Sequence, residues 1–181
     1  MYYKVKVRDH IRVDPALFNL ELKQSIIAEI KKKYGGFISK ELGFVVDVSG
    51  IDDVNEGVII PGDGAPYYDT TFTLITYEPE MQEVVPGLVK DIADFGAFLN
   101  IGPVEGMIHI SQTMNDFVSF SKDKTLQGRD GKRFLRVNDV CNARIIAVSY
   151  KDVANPKIGL TMRQAGLGKT EWIEEDLAKT K

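Results

Sequence analysis

The sequence predicts two small domains: an α+β domain, in which one main helix covers an antiparallel sheet, followed by an all-β five-stranded barrel. Three observations predict this. In residues 1–80, strand-like segments surround one amphipathic helical segment. Between residues 84 and 162, short apolar segments recur with glycine at the bends, which is typical of an all-β domain. The polar and stiff stretch Glu78-Pro79-Glu80 separates the two patterns, and 181 residues are enough for two small domains.

The N-terminal domain is predicted to start with a strand and a helix. Apolar and basic side chains alternate over residues 2–13, which predicts the strand. Asp14-Pro15 predicts the helix start, because aspartate caps free N–H groups and proline suits the first helical position. Leu22, Ile26 and Ile30 recur at every fourth residue and mark the buried stripe of the helix, which a glycine pair ends.

Further strands are predicted at residues 43–48, 58–60 and 70–77. The loop Pro61-Gly62-Asp63-Gly64-Ala65-Pro66 interrupts them, and it lacks the Lys and Ser/Thr of a phosphate-binding P-loop. Taken alone, this loop is a tight hairpin connection. Asp52-Asp53 is predicted to lie in a solvated turn beside Gly50, since no metal-ligand spacing surrounds the pair.

The C-terminal domain is predicted to be an OB-fold barrel. Segments at residues 87–92, 96–101, 106–110, 137–148 and 157–161 supply the five strands that this fold needs. Residues 112–134 are polar with scattered aromatics and predict a long excursion with a little helix. Thr170 is predicted to cap a short terminal helix, with Trp172, Ile173 and Leu177 as apolar anchors. The predicted domains are residues 1–80 and 81–165, followed by a C-terminal tail at 166–181.

The charge is unevenly distributed along the chain, whose net charge is −3. Residues 1–80 carry 9 Lys or Arg and 13 Asp or Glu, whereas residues 122–163 carry 10 and 4. This local basic excess favours a surface that binds a polyanion, and a solvated loop is the alternative. The lysines at 31–33 have a sufficient structural explanation in the helix dipole, and a functional patch is the alternative there.

The composition argues against several classes of protein. The single Cys141 excludes an internal disulfide and a multi-cysteine zinc site, and its apolar neighbours predict a core residue rather than a reactive thiol. No apolar run is long enough for a membrane span, and the N-terminus lacks the apolar core of a signal peptide. We therefore expect a cytoplasmic protein with no cofactor, no metal, no membrane partner and no small-molecule substrate.

Two aromatic residues and a histidine carry the strongest functional signal. The segments Asp94-Phe95-Gly96-Ala97-Phe98-Leu99 and Glu105-Gly106-Met107-Ile108-His109-Ile110-Ser111 place Phe95, Phe98 and His109 on neighbouring strands. An exposed aromatic ring can stack on a base of any sequence, and Gly96 would let a base approach. The predicted RNA-binding set adds three cations for phosphates: Lys90, Arg144 and Lys157. In a small barrel, one of the two phenylalanines can instead belong to the core.

These two segments resemble the ribosomal S-one domain, an RNA-binding OB-fold, over residues 87–162. The resemblance implies that Phe95, Phe98 and His109 face nucleic acid. Two positions depart from the family pattern, since Ser149 replaces an aspartate and Lys157 replaces an arginine. The departures predict modest affinity and low sequence specificity.

The whole chain resembles the family of RNA polymerase stalk subunits, which comprises the archaeal E-prime subunit and the seventh subunit of eukaryotic RNA polymerase II. The motifs are Tyr-Tyr-Lys-Val near the start, the Val58–Gly64 segment, the barrel, and the Gly166–Lys169 and Glu171–Ile173 segments. The resemblance implies a truncated ribonucleoprotein-like N-terminal domain that docks on the polymerase, pairing with the small helical F subunit as a heterodimer, and single-stranded RNA as the barrel's ligand. It also implies that Pro61, Gly62, Asp63 and Gly64 dock on the polymerase core.

Two other classes remain open at this point. An RNA-binding adaptor, such as a cap subunit of the archaeal exosome, also carries an S-one barrel, but usually with a KH domain or a zinc ribbon. A nuclease would need a catalytic domain, and Asp52-Asp53 is the only adjacent acidic pair in the N-terminal half. We therefore expect an accessory subunit with no active site of its own.

Overall fold

The computed structural model describes residues 1–121, 123–153 and 155–179, and the chain divides into two compact units, Met1–Glu78 and Pro79–Lys181. The first unit is an antiparallel sheet with the strand order β1-β4-β3-β2 and one α-helix. Its elements are β1 (Tyr2–Arg12), a 3-10 turn (Pro15–Leu17), α1 (Leu22–Tyr34), β2 (Ile38–Ser39), β3 (Gly43–Ile59) and β4 (Pro66–Tyr77).

Helix α1 begins later than Asp14-Pro15 predicts. The Asp14 carboxylate does accept a hydrogen bond from the Ala16 amide (3.0 Å), but it caps only the 3-10 turn. Glu21 is extended, with φ −60° and ψ 140°, so a helical hydrogen-bond ladder cannot run through it. The predicted start is therefore wrong by about two turns. As a result Leu22 is exposed, whereas Ile26 and Ile30 are fully buried as expected.

Strand β3 joins the segments at residues 43–48 and 58–60, which the sequence predicts as separate strands. It runs for 17 residues, and register shifts against β4 occur at four places along it. Each bulge inserts a residue and breaks the alternation of apolar and polar side chains, which hid the continuity of the strand. Asp52-Asp53 consequently lies within β3 and not in a turn, and Asp52 accepts a hydrogen bond from the Thr73 hydroxyl (2.9 Å).

The core of the first unit lies between α1 and one face of the sheet. β4 is the central strand, with β1 on one side and β3 on the other, so its buried side chains meet both neighbours and the helix. The buried residues of this core are Ile11, Val13, Ile26, Ile30, Val45, Phe72 and Leu74.

The second unit contains a closed barrel of five strands. They are β5 (Val84–Ala93), β6 (Gly96–Asn100), β7 (Glu105–His109), β11 (Val140–Ser149) and β12 (Lys157–Thr161). The order is β12-β7-β6-β5-β11, and pairing between β11 and β12 closes the barrel. The predicted fold class, an α+β domain followed by a five-stranded barrel, is confirmed.

The excursion between β7 and β11 has more regular structure than the sequence suggested. After a 3-10 turn (Ile110–Gln112), it forms a three-stranded sheet of β8 (Val118–Ser121), β9 (Thr125–Gly128) and β10 (Phe134–Leu135). The chain then ends with β13 (Gly168–Lys169), which pairs with β11, and α2 (Thr170–Lys179).

Helix α2 is anchored mainly by one of its three predicted apolar residues. Trp172 is buried, whereas Leu177 is exposed. The Thr170 hydroxyl donates to the Val140 carbonyl (3.2 Å), which ties the helix start to the barrel. Of the helices in the described residues, none has the length and apolar character that a membrane crossing requires.

Candidate nucleic-acid interface

Phe95, Phe98 and His109 lie close together on the outer surface of the barrel. Phe95 is in the turn between β5 and β6, Phe98 is in the middle of β6, and His109 is the last residue of β7. β6 and β7 are adjacent and antiparallel, and their register places Gly96 opposite His109 and Phe98 opposite Met107. The structure therefore brings together the three residues that the sequence singled out.

Strand alternation explains why Phe98 faces outward. Its neighbours Ala97 and Leu99 are fully buried in the barrel, so Phe98 points to the other side. Phe95 is 47% exposed, and the two rings meet edge to face with centroids 5.9 Å apart. Edge-to-face rings support one another and leave a ring face accessible for stacking. We call Phe95, Phe98 and His109 the aromatic platform.

Gly96 has a different purpose from the one expected. A Cβ atom at this position would lie 2.1 Å from the backbone oxygen of Ile108, and the residue is buried. Gly96 therefore allows β6 and β7 to approach closely, and it does not open space for a base. The close approach is what holds His109 next to the two phenylalanines.

His109 is oriented by a neighbouring serine. The Ser111 amide donates to Nδ1 of His109 (3.3 Å), and the Ser111 hydroxyl lies 2.8 Å from the same nitrogen. Because Nδ1 accepts a hydrogen bond, the proton of the neutral ring lies on Nε2. His109 is exposed, so Nε2 is a donor that a phosphate or a 2′-hydroxyl can reach.

The predicted cations are not all beside the platform. Lys90 forms an ion pair with Glu105 at the start of β7, which is the opposite end of that strand from His109. Lys157 opens β12, whose next residue pairs with Gly106 of β7, so it lies at the same end as Lys90. Arg144 is on β11, which β5 and β12 separate from β6 and β7. Within the described residues, Nε of Arg144 is buried without a hydrogen-bond partner.

A charged pair that the sequence analysis missed lies next to Phe98. Asp91 is opposite Phe98 in the register of β5 and β6, and Nζ of Lys124 lies 2.7 Å from its carboxylate. This hydrogen bond, together with one from the Ile92 amide, lowers the pKa of Asp91. Lys124 therefore offsets a negative charge that would otherwise repel RNA. No local motif revealed the pair, because 33 residues separate its members.

In the first unit, the loop between β3 and β4 is held by Asp63. Its carboxylate accepts hydrogen bonds from Arg12 (both 2.9 Å), from the Tyr67 hydroxyl (2.8 Å) and from the Ala65 amide (3.2 Å). The Arg12 and Tyr67 hydrogen bonds keep the pKa of Asp63 well below its usual value. Asp63 thus shapes the loop from within, whereas Pro61, Gly62 and Gly64 are exposed.

An exposed apolar segment leads into this loop. Val58, Ile59 and Ile60 are all exposed, and Ile59 reaches 68%. Valine and isoleucine are among the residue types that are most often fully buried. We call Val58, Ile59, Ile60 and Pro61 the apolar tip. The sequence motif marks this segment, but it does not specify that the side chains are exposed.

The described residues show no clustered metal ligands and no reactive thiol. No group of three or more His, Cys, Asp or Glu in the described part of the chain could hold a metal ion. Cys141 is buried in the barrel, and this burial raises the pKa of its thiol to about 12. A thiol with that pKa is protonated at neutral pH.

Two family models match the chain, one in each unit. The model described as "SHS2 domain found in N terminus of Rpb7p/Rpc25p/MJ0397" matches residues 8–64. The model described as "S1 RNA binding domain" matches residues 78–154, which include the aromatic platform.

Curated relatives match over nearly the whole chain. "DNA-directed RNA polymerase subunit Rpo7" of Saccharolobus solfataricus is 36% identical, and the match covers 97% of this chain and 98% of the relative. The protein of the same name from Sulfolobus acidocaldarius is 33% identical, with 99% and 98% covered. The chain belongs to the Rpo7 family. It is therefore an RNA polymerase subunit with an S1 RNA-binding domain.

More distant matches cover less of the Rpo7-family chain. "DNA-directed RNA polymerase II subunit 7" of Arabidopsis thaliana is 26% identical, with 58% of this chain and 60% of the relative covered. Among solved structures, GSP13 from Bacillus subtilis is 28% identical and covers 48% of this chain and 57% of its own, with a TM-score of 0.35.

Proposed function

We propose that this Rpo7-family protein is a non-catalytic stalk subunit of a cytoplasmic RNA polymerase. In this proposal it pairs with the small helical F subunit, docks on the polymerase core through Pro61, Gly62, Asp63 and Gly64, and binds emerging single-stranded RNA with its barrel. The chain has no active site of its own and uses no cofactor. Pairing with the F subunit rests on the resemblance to the stalk-subunit family alone.

The observation that carries RNA binding is the aromatic platform. Base–aromatic stacking tolerates any base, which suits a subunit that meets transcripts of every sequence. The exposed Nε2 of His109 adds a donor for the RNA backbone, and Lys90 and Lys157 lie at the other end of β7. A strand of RNA that follows β7 would meet rings at one end and cations at the other.

The apolar tip supports docking on the polymerase core. Asp63 restrains the loop through Arg12, so the adjoining apolar side chains lie on a preorganised hairpin. A preorganised loop loses little conformational entropy when it binds. Exposed apolar side chains that are grouped in this way are typical of protein–protein contacts.

The test is co-purification of the tagged full-length chain from a native lysate, followed by mass spectrometry. We expect the large polymerase subunits and a small helical subunit to be recovered together. Ile59→Lys should reduce recovery of the large subunits, because it places a charge in the apolar tip. Val140→Lys, an exposed valine of the second unit, is the matched control and should leave recovery unchanged.

Two results would contradict the proposal. Recovery of exosome ring subunits in place of polymerase subunits would favour an RNA-processing adaptor. Cleavage of labelled RNA by the purified chain, above the level of a mock preparation, would contradict a non-catalytic role.

A further inference from the structure

A cleft lies beside the aromatic platform, between the 3-10 turn that follows β7 and the start of β8. It has a volume of about 200 Å³ and is open to solvent. Drug-sized ligands need pockets of about 300–1,000 Å³, so this cleft suits one planar ring rather than a whole cofactor. Its lining residues are Ile110, Ser111, Asp116, Phe117, Val118 and Arg163.

Phe117 exposes an aromatic ring that packing does not explain. The side chain is 73% exposed, although a phenylalanine in a folded protein normally buries most of its surface. Phe117 directly precedes β8, and its amide donates to the carboxylate of the neighbouring Asp116 (2.7 Å). The ring is thus presented to solvent at the edge of the cleft, next to the first residue of β8.

Arg163 supplies a positive charge in the same cleft. Its Nε donates to the Asn115 side-chain oxygen at 3.3 Å, and its backbone amide donates to the Thr161 hydroxyl. Within the described residues no carboxylate lies within ion-pair distance of its guanidinium, and Asp116, although it lines the same cleft, is not an ion-pair partner. An arginine without a carboxylate partner can bind a phosphate or stack on a base.

The cleft is continuous with the aromatic platform. Ser111 lines the cleft and also hydrogen-bonds to Nδ1 of His109 (2.8 Å). Ile110 lines it too, and its amide donates to the carbonyl of Phe95 (2.8 Å). A strand of RNA that leaves His109 would therefore enter the cleft with no intervening element.

We propose that this cleft is a second base-binding subsite for single-stranded RNA, in which Phe117 stacks on a base and Arg163 contacts the adjacent phosphate. The inference rests on the proposed RNA-binding function and extends it by one nucleotide position. Single-stranded RNA is a better candidate ligand than a protein. The cleft combines an exposed ring, which can stack on a base, with a cation, which can bind a phosphate, and it adjoins the aromatic platform. The subsite reads no particular base, since stacking needs only a planar ring.

The test measures binding of the full-length chain to fluorescent oligouridylates of two lengths. A four-nucleotide RNA is long enough for the platform alone, and a twelve-nucleotide RNA can reach both sites. Phe117→Ala should weaken binding of the longer RNA about tenfold, the usual size of one lost base–aromatic stack, and should change binding of the shorter RNA less than about twofold. Phe120→Ala is the matched control, since Phe120 is 40% exposed on β8 but does not line the cleft.

Two further variants separate stacking from charge. Arg163→Gln should weaken binding of the longer RNA and flatten its salt dependence by roughly one phosphate contact. Phe117→Trp should keep the affinity, and RNA should quench the fluorescence of the new indole because it stacks on a base. The native Trp172 is buried and gives a constant background.

The outcomes distinguish this inference from the proposed function. If the unmodified chain binds neither RNA, the proposed RNA-binding function fails, and the subsite fails with it. If platform variants lose binding but Phe117→Ala does not, only the subsite is overturned. If Phe117→Ala keeps RNA affinity and instead reduces co-purification of polymerase subunits, the cleft is a protein contact and the inference is wrong.

Discussion

Phe95 and Phe98 differ in how the fold exposes them. Phe98 is outward because its neighbours on β6 fill the barrel, so its position follows from the two-residue period of a strand. Phe95 is outward because it lies in a turn, where no such period applies. The two rings nevertheless meet edge to face, which makes them one surface. Replacing both rings should therefore weaken RNA binding more than replacing either ring alone.

The double variant Phe95→Ala with Phe98→Ala should weaken binding of single-stranded RNA at least tenfold, because each lost base stack costs about 1–3 kcal/mol. His109→Ala should have a smaller effect, since it removes a hydrogen-bond donor and leaves both rings. Fluorescence anisotropy with a labelled RNA measures both variants. The fluorescence of Trp172, in the second unit, monitors folding. A folded double variant with normal affinity would show that the RNA surface lies elsewhere.

Cys141, unlike these two phenylalanines, is shielded from solvent. It is fully buried in the barrel, and burial raises the pKa of its thiol from 9.0 to about 12. At pH 8 the native chain should therefore react with a thiol reagent only as fast as it unfolds, since the thiolate is the reactive form. In denaturant, where the thiol is exposed, the reaction should be much faster. A fast reaction of the native chain would contradict the burial of Cys141.

At the scale of elements, ion pairs connect β1 to the rest of the first unit. Arg8 pairs with Asp69 of β4, Arg12 with Asp63 of the loop, and Lys33 of α1 with Asp9. The hydrogen bond from Arg8 lowers the pKa of Asp69 from 3.8 to about 2. Because this pKa is lowered in the folded state, the ionised Asp69 stabilises folding at neutral pH.

Acid should consequently destabilise the first unit. The stabilisation is complete above about pH 5 and is lost as the pH falls from 3.8 towards 2, through the lowered pKa of Asp69 and that of Asp63 below it. Asp69→Asn should flatten this dependence, whereas Glu56→Gln, an exposed carboxylate on β3, should not. Urea unfolding followed by tyrosine circular dichroism measures the effect, because six of the seven tyrosines lie in residues 1–78. Equal acid sensitivity of the unmodified protein and both variants would refute the role of Asp69.

The elements show which features a local pattern predicts. Ile26 and Ile30 identified α1 because a regular helix repeats its buried positions, and short apolar segments with glycine at the bends identified the barrel strands. Periodicity failed for β3, where bulges break the period, and the capping signal failed for the start of α1, because Asp14 caps a 3-10 turn instead. Both errors concern hydrogen bonding that local residue patterns do not specify.

The candidate interface likewise has one part that the sequence predicted and one part that it did not. The aromatic platform was predictable because its residues lie in two short motifs on adjacent strands. The ion pairs of Lys90 and Lys124, and the cleft beside Phe117, required the three-dimensional structure. Their partners are 15 and 33 residues away, and ion pairs over such distances leave no periodic signal in one sequence.

At the scale of the whole molecule, the two units differ in charge and in the kind of surface that they expose. The acidic first unit contains the apolar tip, and the second contains the locally basic stretch and the aromatic platform. Ser149 lies directly opposite Lys157 in the β11–β12 pairing, so the two departures from the family pattern are one site. In the proposed function, a barrel attached to the polymerase meets RNA at a high effective concentration, so tight binding is unnecessary.

Weak binding that depends on phosphate contacts should be sensitive to salt. Each contact to a single strand contributes about −0.7 to the slope of the logarithm of the binding constant against the logarithm of salt concentration. Three contacts, from Lys90 and Lys157 at one end of β7 and from Arg163 in the proposed subsite, give a slope of about −2. Lys157→Gln should reduce the steepness by about 0.7. Glu105→Gln should strengthen binding at low salt, because it frees Lys90 from its ion pair.

Titration of a labelled RNA at several salt concentrations measures these slopes, and Lys23→Gln is a suitable control because Lys23 is an exposed lysine of the first unit, on α1. A slope near zero would exclude phosphate contacts and leave stacking as the sole attraction. An unchanged slope in Lys157→Gln together with a reduced slope in Arg144→Gln would place the RNA backbone along β11 rather than along β7. The position of the cations thus makes the path of the RNA measurable without a structure of the complex, since each lysine or arginine on that path contributes the same increment to the slope.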